Sequence, residues 1–179
     1  MHVTCGYKDR ADSIIELFTA TFADAEGAEE GALIGTLVRS LFATTAQEDL
    51  HVFCSHADDQ ITGCIMFSRL VYEQETRTVF LMAPVAVRPG WQGRGIGRAL
   101  IRHGLDEMQK RGADVVITYG DPAYYGRVGF APIPESEARP PLPLAHPEGW
   151  LAHSLTGGRP APLQGASRCV AAFDDPAYW

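Results

Sequence analysis

At 179 residues, with 46% hydrophobic and 21% charged positions, the chain can bury one substantial core and has the composition of an ordinary globular protein. Its net charge of −7 argues against nucleic acid as a general partner, and no apolar run approaches the roughly 20 residues of a membrane span. Cys5, Cys54, Cys64 and Cys169 are scattered without C-x-x-C spacing, and Met1 to Thr4 opens on a strand pattern rather than a basic, apolar leader, so reduced thiols and a cytoplasmic location are expected.

In chain order, His2 to Tyr7 predicts a short strand, and Asp9 or Asp12 can cap a helix whose Ile14, Leu17, Phe18 and Phe22 recur at helical spacing. The polar stretch 23–31 reads as a break with solvated carboxylates at Asp24, Glu26, Glu29 and Glu30. A second helix follows, with Leu33, Ile34, Leu37, Val38, Leu41 and Phe42 as its apolar stripe. Leu50 to Ser55 and Ile61 to Val71 are β-rich runs flanking a hairpin signal, and Tyr72 to Arg77 connects them to a strand from Thr78 to Val87. Along residues 51–56 the strand period of two puts His51 on the face opposite Cys54 and His56, so no metal site is expected. Pro84 cannot donate to a ladder and marks a bulge in its strand.

The segment 79–112 carries the most informative pattern. An apolar run ends at Val85, Ala86 and Val87; Gly93, Arg94, Gly95, Ile96 and Gly97 then open an amphipathic helix with Ile96, Leu100, Ile101, Leu105 and Met108 on one side. The first turn of a helix leaves N–H groups without partners, and glycines let an anion come close to the backbone, so a phosphate would be held well there. Arg88, Arg94 and Arg98 concentrate positive charge on the same few residues of an acidic chain. The spacing disfavours two phosphate-binding patterns: a P-loop needs Gly-Lys-Ser/Thr where the chain has Gly97-Arg98-Ala99, and the dinucleotide pattern G-x-G-x-x-G meets Arg98 where it needs its third glycine.

After this helix, Asp114 to Tyr119 predicts a short buried strand, completing a right-handed βαβ crossover with two parallel strands. Gly120-Asp121-Pro122 starts a brief helix carrying Tyr124 and Tyr125, ahead of Gly129-Phe130. The proline-rich stretch 132–149 lacks periodicity and predicts an ordered, irregular connection; Trp150 to Leu155 and Ser167 to Phe173 read as two closing strands before an aromatic tail.

The string Gln92-Gly93-Arg94-Gly95-Ile96-Gly97 resembles the Q/R-x-x-G-x-G/A signature of the GNAT superfamily of N-acetyltransferases. Val85-Ala86-Val87 before it and Tyr125-x-x-x-Gly129-Phe130 after it strengthen the resemblance. The implied architecture is an α/β (α+β) GNAT fold over residues 1–179 as one domain: a mixed, mainly antiparallel sheet with splayed parallel central strands, flanked by helices. The resemblance further implies that Gln92, Gly93, Arg94, Gly95, Ile96, Gly97 and Arg98 hold the pyrophosphate of acetyl-CoA, and that Val85, Ala86 and Val87 receive its pantetheine arm. Tyr125 would protonate the departing sulfur, and an amine would be the acceptor, in a monomer or homodimer without a metal. Many such enzymes carry a glutamate on the fourth strand, and Val79 to Val87 contains no acid; Glu26, Glu29, Glu30, Glu73, Glu75 and Asp121 are the remaining carboxylates considered. Two other classes stay open at this stage: an acyl-CoA-binding sensor or scaffold of the same fold, and a nucleotide-binding enzyme of Rossmann type.

Overall fold

The computed structural model describes residues 2–179. The chain opens with β1 (His2–Cys5), α1 (Ala11–Glu26) and α2 (Ala28–Thr44), then forms β2 (Leu50–Ala57), β3 (Gln60–Tyr72) and β4 (Val79–Val87). It continues through α3 (Ile96–Lys110), β5 (Val115–Tyr119), α4 (Pro122–Tyr125), β6 (Ala131–Pro132), β7 (Trp150–Ser154) and β8 (Ser167–Arg168). The strand order is β1-β2-β3-β4-β5-β7-β6, with β8 on β3. β4 and β5 pair in parallel while β1/β2, β3/β8, β5/β7 and β6/β7 pair antiparallel. The short connections of β2 to β3 and β3 to β4 also force antiparallel neighbours. This mainly antiparallel α/β arrangement rules out the Rossmann reading, which needs a doubly wound parallel sheet.

Three local expectations are corrected. The stretch 23–31 is not an extended break, because helix resumes immediately on either side of Gly27, whose φ of +102° interrupts the ladder at a single residue. Neither Asp9 nor Asp12 caps α1; Arg10 occupies that position without a side-chain hydrogen bond, and Asp12 lies in the first turn. The second closing strand shrinks to Ser167–Arg168, which pairs with Val71 and Tyr72 of β3, while 171–173 form a 3-10 turn.

By contact density the chain divides into two compact units, one comprising the chain up to Phe67 with Pro84–Gly104, the other Ser68–Ala83 with Leu105–Trp179. In the first, Ile14, Leu17, Phe18, Leu37, Val38, Leu41, Phe53, Ile65 and Phe67 are buried, the apolar positions that helical and strand periodicity single out. The ring of Phe53 meets Phe67 and His103 edge-on at 5.9 and 5.8 Å, which ties α3 to the strands.

In the second unit, β5 is buried along Val115, Val116, Ile117 and Thr118 between β4 and β7, and Trp150, Phe173 and Trp179 form an aromatic cluster beside Tyr119. The β3 to β4 connection is fixed by Glu75, whose side chain is only 7% exposed. Its carboxylate accepts hydrogen bonds from Arg77 Nε (2.9 Å) and from the backbone N–H groups of Thr76, Arg77 and Gln164, and Arg77 donates onward to the carbonyls of Ala161 and Pro162. These hydrogen bonds, led by those from the Arg77 guanidinium, hold the Glu75 carboxyl down at about 2.

A carboxyl with a depressed folded-state pKa contributes stability that is complete above its ordinary range and disappears as pH falls through the folded value. Glu75→Gln should therefore lower the melting temperature at neutral pH, with the gap to wild type closing between about pH 4.5 and 2. Thermal melts across that range check this; a gap independent of pH would assign the effect to packing alone.

Candidate active site

The first unit contains the end of β4 and the loop that opens α3. Val85 and Val87 are half-buried and alternate with buried Pro84 and Ala86, as a strand with one accessible face requires. Gln92 is exposed, and its Nε2 donates to the Val87 carbonyl at 3.0 Å, closing the strand end onto the loop. Arg88 is likewise committed, its N–H donating to the Thr62 carbonyl and its Nε to that of Ile61, both at 2.9 Å. The guanidinium of Arg94 lies 5.0 Å from the centroid of the Trp91 ring, and Arg94 and Arg98 are both exposed.

Gly93 and Gly95 have φ of +72° and +79°, the left-handed region that L side chains avoid. A Cβ at either would meet no protein atom within 4 Å, so conformation, not crowding by the protein, demands glycine there. The first helical hydrogen bond of α3 runs from the Ala99 N–H to the Gly95 carbonyl at 3.0 Å. The N–H groups of Ile96, Gly97 and Arg98 consequently have no intrahelical acceptor. Half-buried Ile96 and buried Gly97 begin the helix, and Leu100, Ile101, Leu105 and Met108 form its buried side.

The other predicted residue, Tyr125, belongs to the second unit. The parallel ladder between β4 and β5 consists of Val79↔Val115, Phe80↔Val116 and Leu81↔Ile117. Beyond Ile117, β5 pairs with β7 through Thr118↔Leu151 and Tyr119↔Trp150. At that point the Thr118 hydroxyl donates to the Met82 carbonyl at 2.8 Å, so a side chain takes over where the parallel ladder stops. Asp121 caps α4 by accepting from the Ala123 N–H at 2.8 Å, with Pro122 at the first helical position.

Tyr125 closes this one-turn helix. Its ring packs so closely on Gly120 that a Cβ there would come within 2.7 Å of Cε2, and it meets Tyr124 and Phe130 edge-on at 5.1 and 5.9 Å. Burial pushes the Tyr125 phenol's pKa up to about 12, with Tyr124 and Asp121 acting in the same direction and the nearby Thr118 hydroxyl against it. Gly129 has φ +95° and lies under the imidazole of His153, which a Cβ would approach to 2.8 Å; Nδ1 of that ring lies 2.8 Å from the Gly129 carbonyl.

The candidate carboxylates have different local surroundings. Glu75 is engaged by Arg77 and Asp121 caps a helix; Glu26, Glu29 and Glu73 are exposed, and Glu30 lies in the first turn of α2. Sequence reasoning missed Thr118, Gly120 and His153. The one available signal was Thr118, a polar residue directly after the apolar run 115–117.

The Acetyltransferase (GNAT) domain family model matches residues 48–132. The uncharacterised N-acetyltransferase YjhQ of Escherichia coli is 30% identical over 176 residues, covering 94% of this chain and 93% of that protein. The chain belongs to the GNAT N-acetyltransferase family. A GNAT family acetyltransferase from Brucella melitensis, solved in complex with acetyl-CoA, superposes with a TM-score of 0.73 at 26% identity and 97% coverage of both chains. YhbS of Escherichia coli, solved in complex with CoA, shares the fold at a TM-score of 0.77 over 98% of this chain and 92% of its own, with 24% identity. The GNAT chain described here is thus an acyltransferase, and the mainly antiparallel α/β fold expected from the motifs is the one it adopts.

Within the Tyr125 to Phe130 motif, Gly129→Ala should destabilise the fold by at least about 1–2 kcal/mol, the cost of a side chain at positive φ, with the His153 clash added. Gly126→Ala, at φ −57° with nothing within 4 Å of its Cβ, should change stability by less than about 0.5 kcal/mol or improve it. Denaturant unfolding of both variants tests the contrast.

Proposed function

We propose that this protein transfers the acetyl group of acetyl-CoA to an amine, by direct attack of the neutral amine on the thioester. The C–N bond forms, the C–S bond breaks, and coenzyme A leaves as the thiolate. The observation that carries the assignment is the opening of α3: three N–H groups without intrahelical acceptors follow two positive-φ glycines, flanked by Arg94 and Arg98. That donor set suits the charge and shape of a pyrophosphate. The acetyl-CoA and CoA complexes of the Brucella and Escherichia proteins support the same ligand class. Val85, Ala86 and Val87 are assigned to the pantetheine arm, since a β4 without a β5 partner beyond Leu81 has ladder positions to offer an amide.

Tyr125 is assigned the departing sulfur. With its pKa near 12, the phenol retains its proton at neutral pH, whereas a free thiol titrates near 8.5. Complete proton transfer to the thiolate is therefore uphill, and the phenol acts chiefly as a hydrogen-bond donor whose interaction strengthens as sulfur gains charge. With no acid on β4 and Glu75 held as a carboxylate at about 2, the amine's proton passes to water or to another of the exposed carboxylates.

Incubation with acetyl-CoA and an amine panel, following thiol release, tests the activity and identifies the acceptor. Tyr125→Phe should then lower kcat by roughly 10²–10⁴-fold with CoA affinity nearly unchanged. Turnover at the wild-type rate would remove Tyr125 from the chemistry, and a loss confined to affinity would make it a wall of the coenzyme site. Gly95→Ala should weaken CoA binding by tenfold or more in calorimetric titration and Arg94→Ala by less, because the former adds a side chain where the loop is meant to meet phosphate. Unchanged affinity in a folded Gly95→Ala protein would sink the loop assignment.

A further inference from the structure

We infer that Gly149, at the end of the proline-rich connection before β7, is a positioning residue for the Tyr125 phenol and acts through the backbone of Gly120, an inference that rests on the assignment of Tyr125 to the sulfur. Two close approaches meet at Gly120. The Tyr125 ring makes one: a Cβ at 120 would stand 2.7 Å from its Cε2 and 3.4 Å from its Cδ2. Gly149 makes the other: a Cβ there would stand 2.9 Å from the Gly120 carbonyl oxygen, 3.4 Å from the Gly120 nitrogen and 3.3 Å from Cε2 of Tyr119. The Gly120 N–H also donates to the Gly149 carbonyl at 2.9 Å, so the two segments are bonded as well as in contact. Neither glycine has a positive φ, so each position asks for the absence of a side chain and not for a special backbone conformation.

Gly149 is itself held on a firm seat. Its N–H donates to the His146 carbonyl at 2.9 Å, and the His146 N–H donates to the Tyr119 hydroxyl at 2.7 Å. The next residue, Trp150, pairs with Tyr119 in the β5/β7 ladder, is fully buried, and donates from Nε1 to the Ala138 carbonyl at 2.8 Å. A side chain at 149 would therefore press on backbone atoms of Gly120 from a support that does not yield, and Gly120 would have to move. The Tyr125 ring, in contact with Gly120 and met edge-on by Tyr124 and Phe130, would move with it. A hydrogen bond weakens steeply with distance and angle, so a small displacement of the phenol is felt at the sulfur. If Gly149 only closed a tight turn, its substitution would weaken the fold and leave the phenol's behaviour untouched.

The test needs no acceptor. The thiol of coenzyme A bound to the full-length protein is titrated by its thiolate absorbance in wild type, Tyr125→Phe, Gly149→Ala and the double variant, with affinity measured separately by calorimetry. A hydrogen bond to the thiolate lowers the thiol pKa, so Tyr125→Phe should raise it by about one to two units. Gly149→Ala should raise it by about half a unit or more, with coenzyme affinity changed less than about threefold. In the double variant Gly149→Ala should add nothing to the effect of Tyr125→Phe, because the hydroxyl through which it acts is gone, while its effect on melting temperature persists. Should Gly149→Ala fail to fold, Tyr119→Phe, which adds no atoms and takes from the His146 N–H its acceptor, carries the same expectation at a smaller size, alone and in the Tyr125→Phe background. A wild-type thiol pKa in folded Gly149→Ala, or in Tyr119→Phe used in its place, alongside a raised one in Tyr125→Phe, overturns the role of Gly149; so does a shift of equal size with and without the Tyr125 hydroxyl. An unmoved thiol pKa in Tyr125→Phe, or failure of coenzyme A to bind, overturns the assignment of Tyr125 first and the inference with it.

Discussion

The parting of two parallel strands is the constraint on which the rest of this structure depends. A parallel ladder satisfies backbone N–H and C=O groups on both strands, and where it stops each buried group needs another partner. Here β4 and β5 share three paired positions and then diverge. β5 keeps its pairing with β7 along its whole length, from Val115 to Tyr119, and the Met82 carbonyl of β4 is satisfied by the Thr118 hydroxyl. Pro84 falls three residues beyond Leu81, the last residue of β4 in that ladder, where a missing N–H removes no bond to β5. The divergence is thus written in two residues, a proline that needs no β5 partner and a threonine that supplies one.

The glycines of the two motifs serve different physical needs. Gly93 and Gly95 are required by backbone dihedrals in a region where a side chain would touch no protein atom, so the local requirement is turn geometry and the space beside it remains open to a ligand. Gly129 combines positive φ with contact against His153, and Gly120 admits the Tyr125 ring at a distance no Cβ would tolerate. The first pair sets the turn of a loop with open space beside it. The second pair lets the chain pack an aromatic side chain against its own backbone, which is how a one-turn helix too short to be stable alone holds a phenol in a fixed place.

Electrostatics separates residues that composition alone treats as equals. Glu75 is one of several carboxylates that could accept a proton, yet its hydrogen bonds to Arg77 and three backbone N–H groups keep it ionised far below neutral pH, which suits it to fastening a connection and makes it a poor base. Arg88 and Gln92 lie beside the helix start with the chemistry of phosphate ligands, but their side chains close the loop onto β3 and β4. Arg94 and Arg98 are the arginines left exposed there.

Periodicity and motif spacing determined a large part of this protein. Strand and helix periods located the main elements within a few residues, because alternation and the 3.6-residue repeat report which face is buried whatever it is buried against. The glycine signature and the Tyr125 to Phe130 motif identified the family from short-range constraints on backbone dihedrals. Several things only the tertiary structure decided. The residues 23–31 look polar enough for a loop, yet helix runs through them except at Gly27 because packing of α1 and α2 outweighs weak local preference. Ser167–Arg168 pairs with β3, a partner nearly a hundred positions earlier that no local pattern names. The Thr118 to Met82 hydrogen bond joins a side chain on β5 to a backbone carbonyl on β4. A hydrogen bond depends on distances between side chains far apart in sequence, and those distances exist only once the strands have paired and then parted.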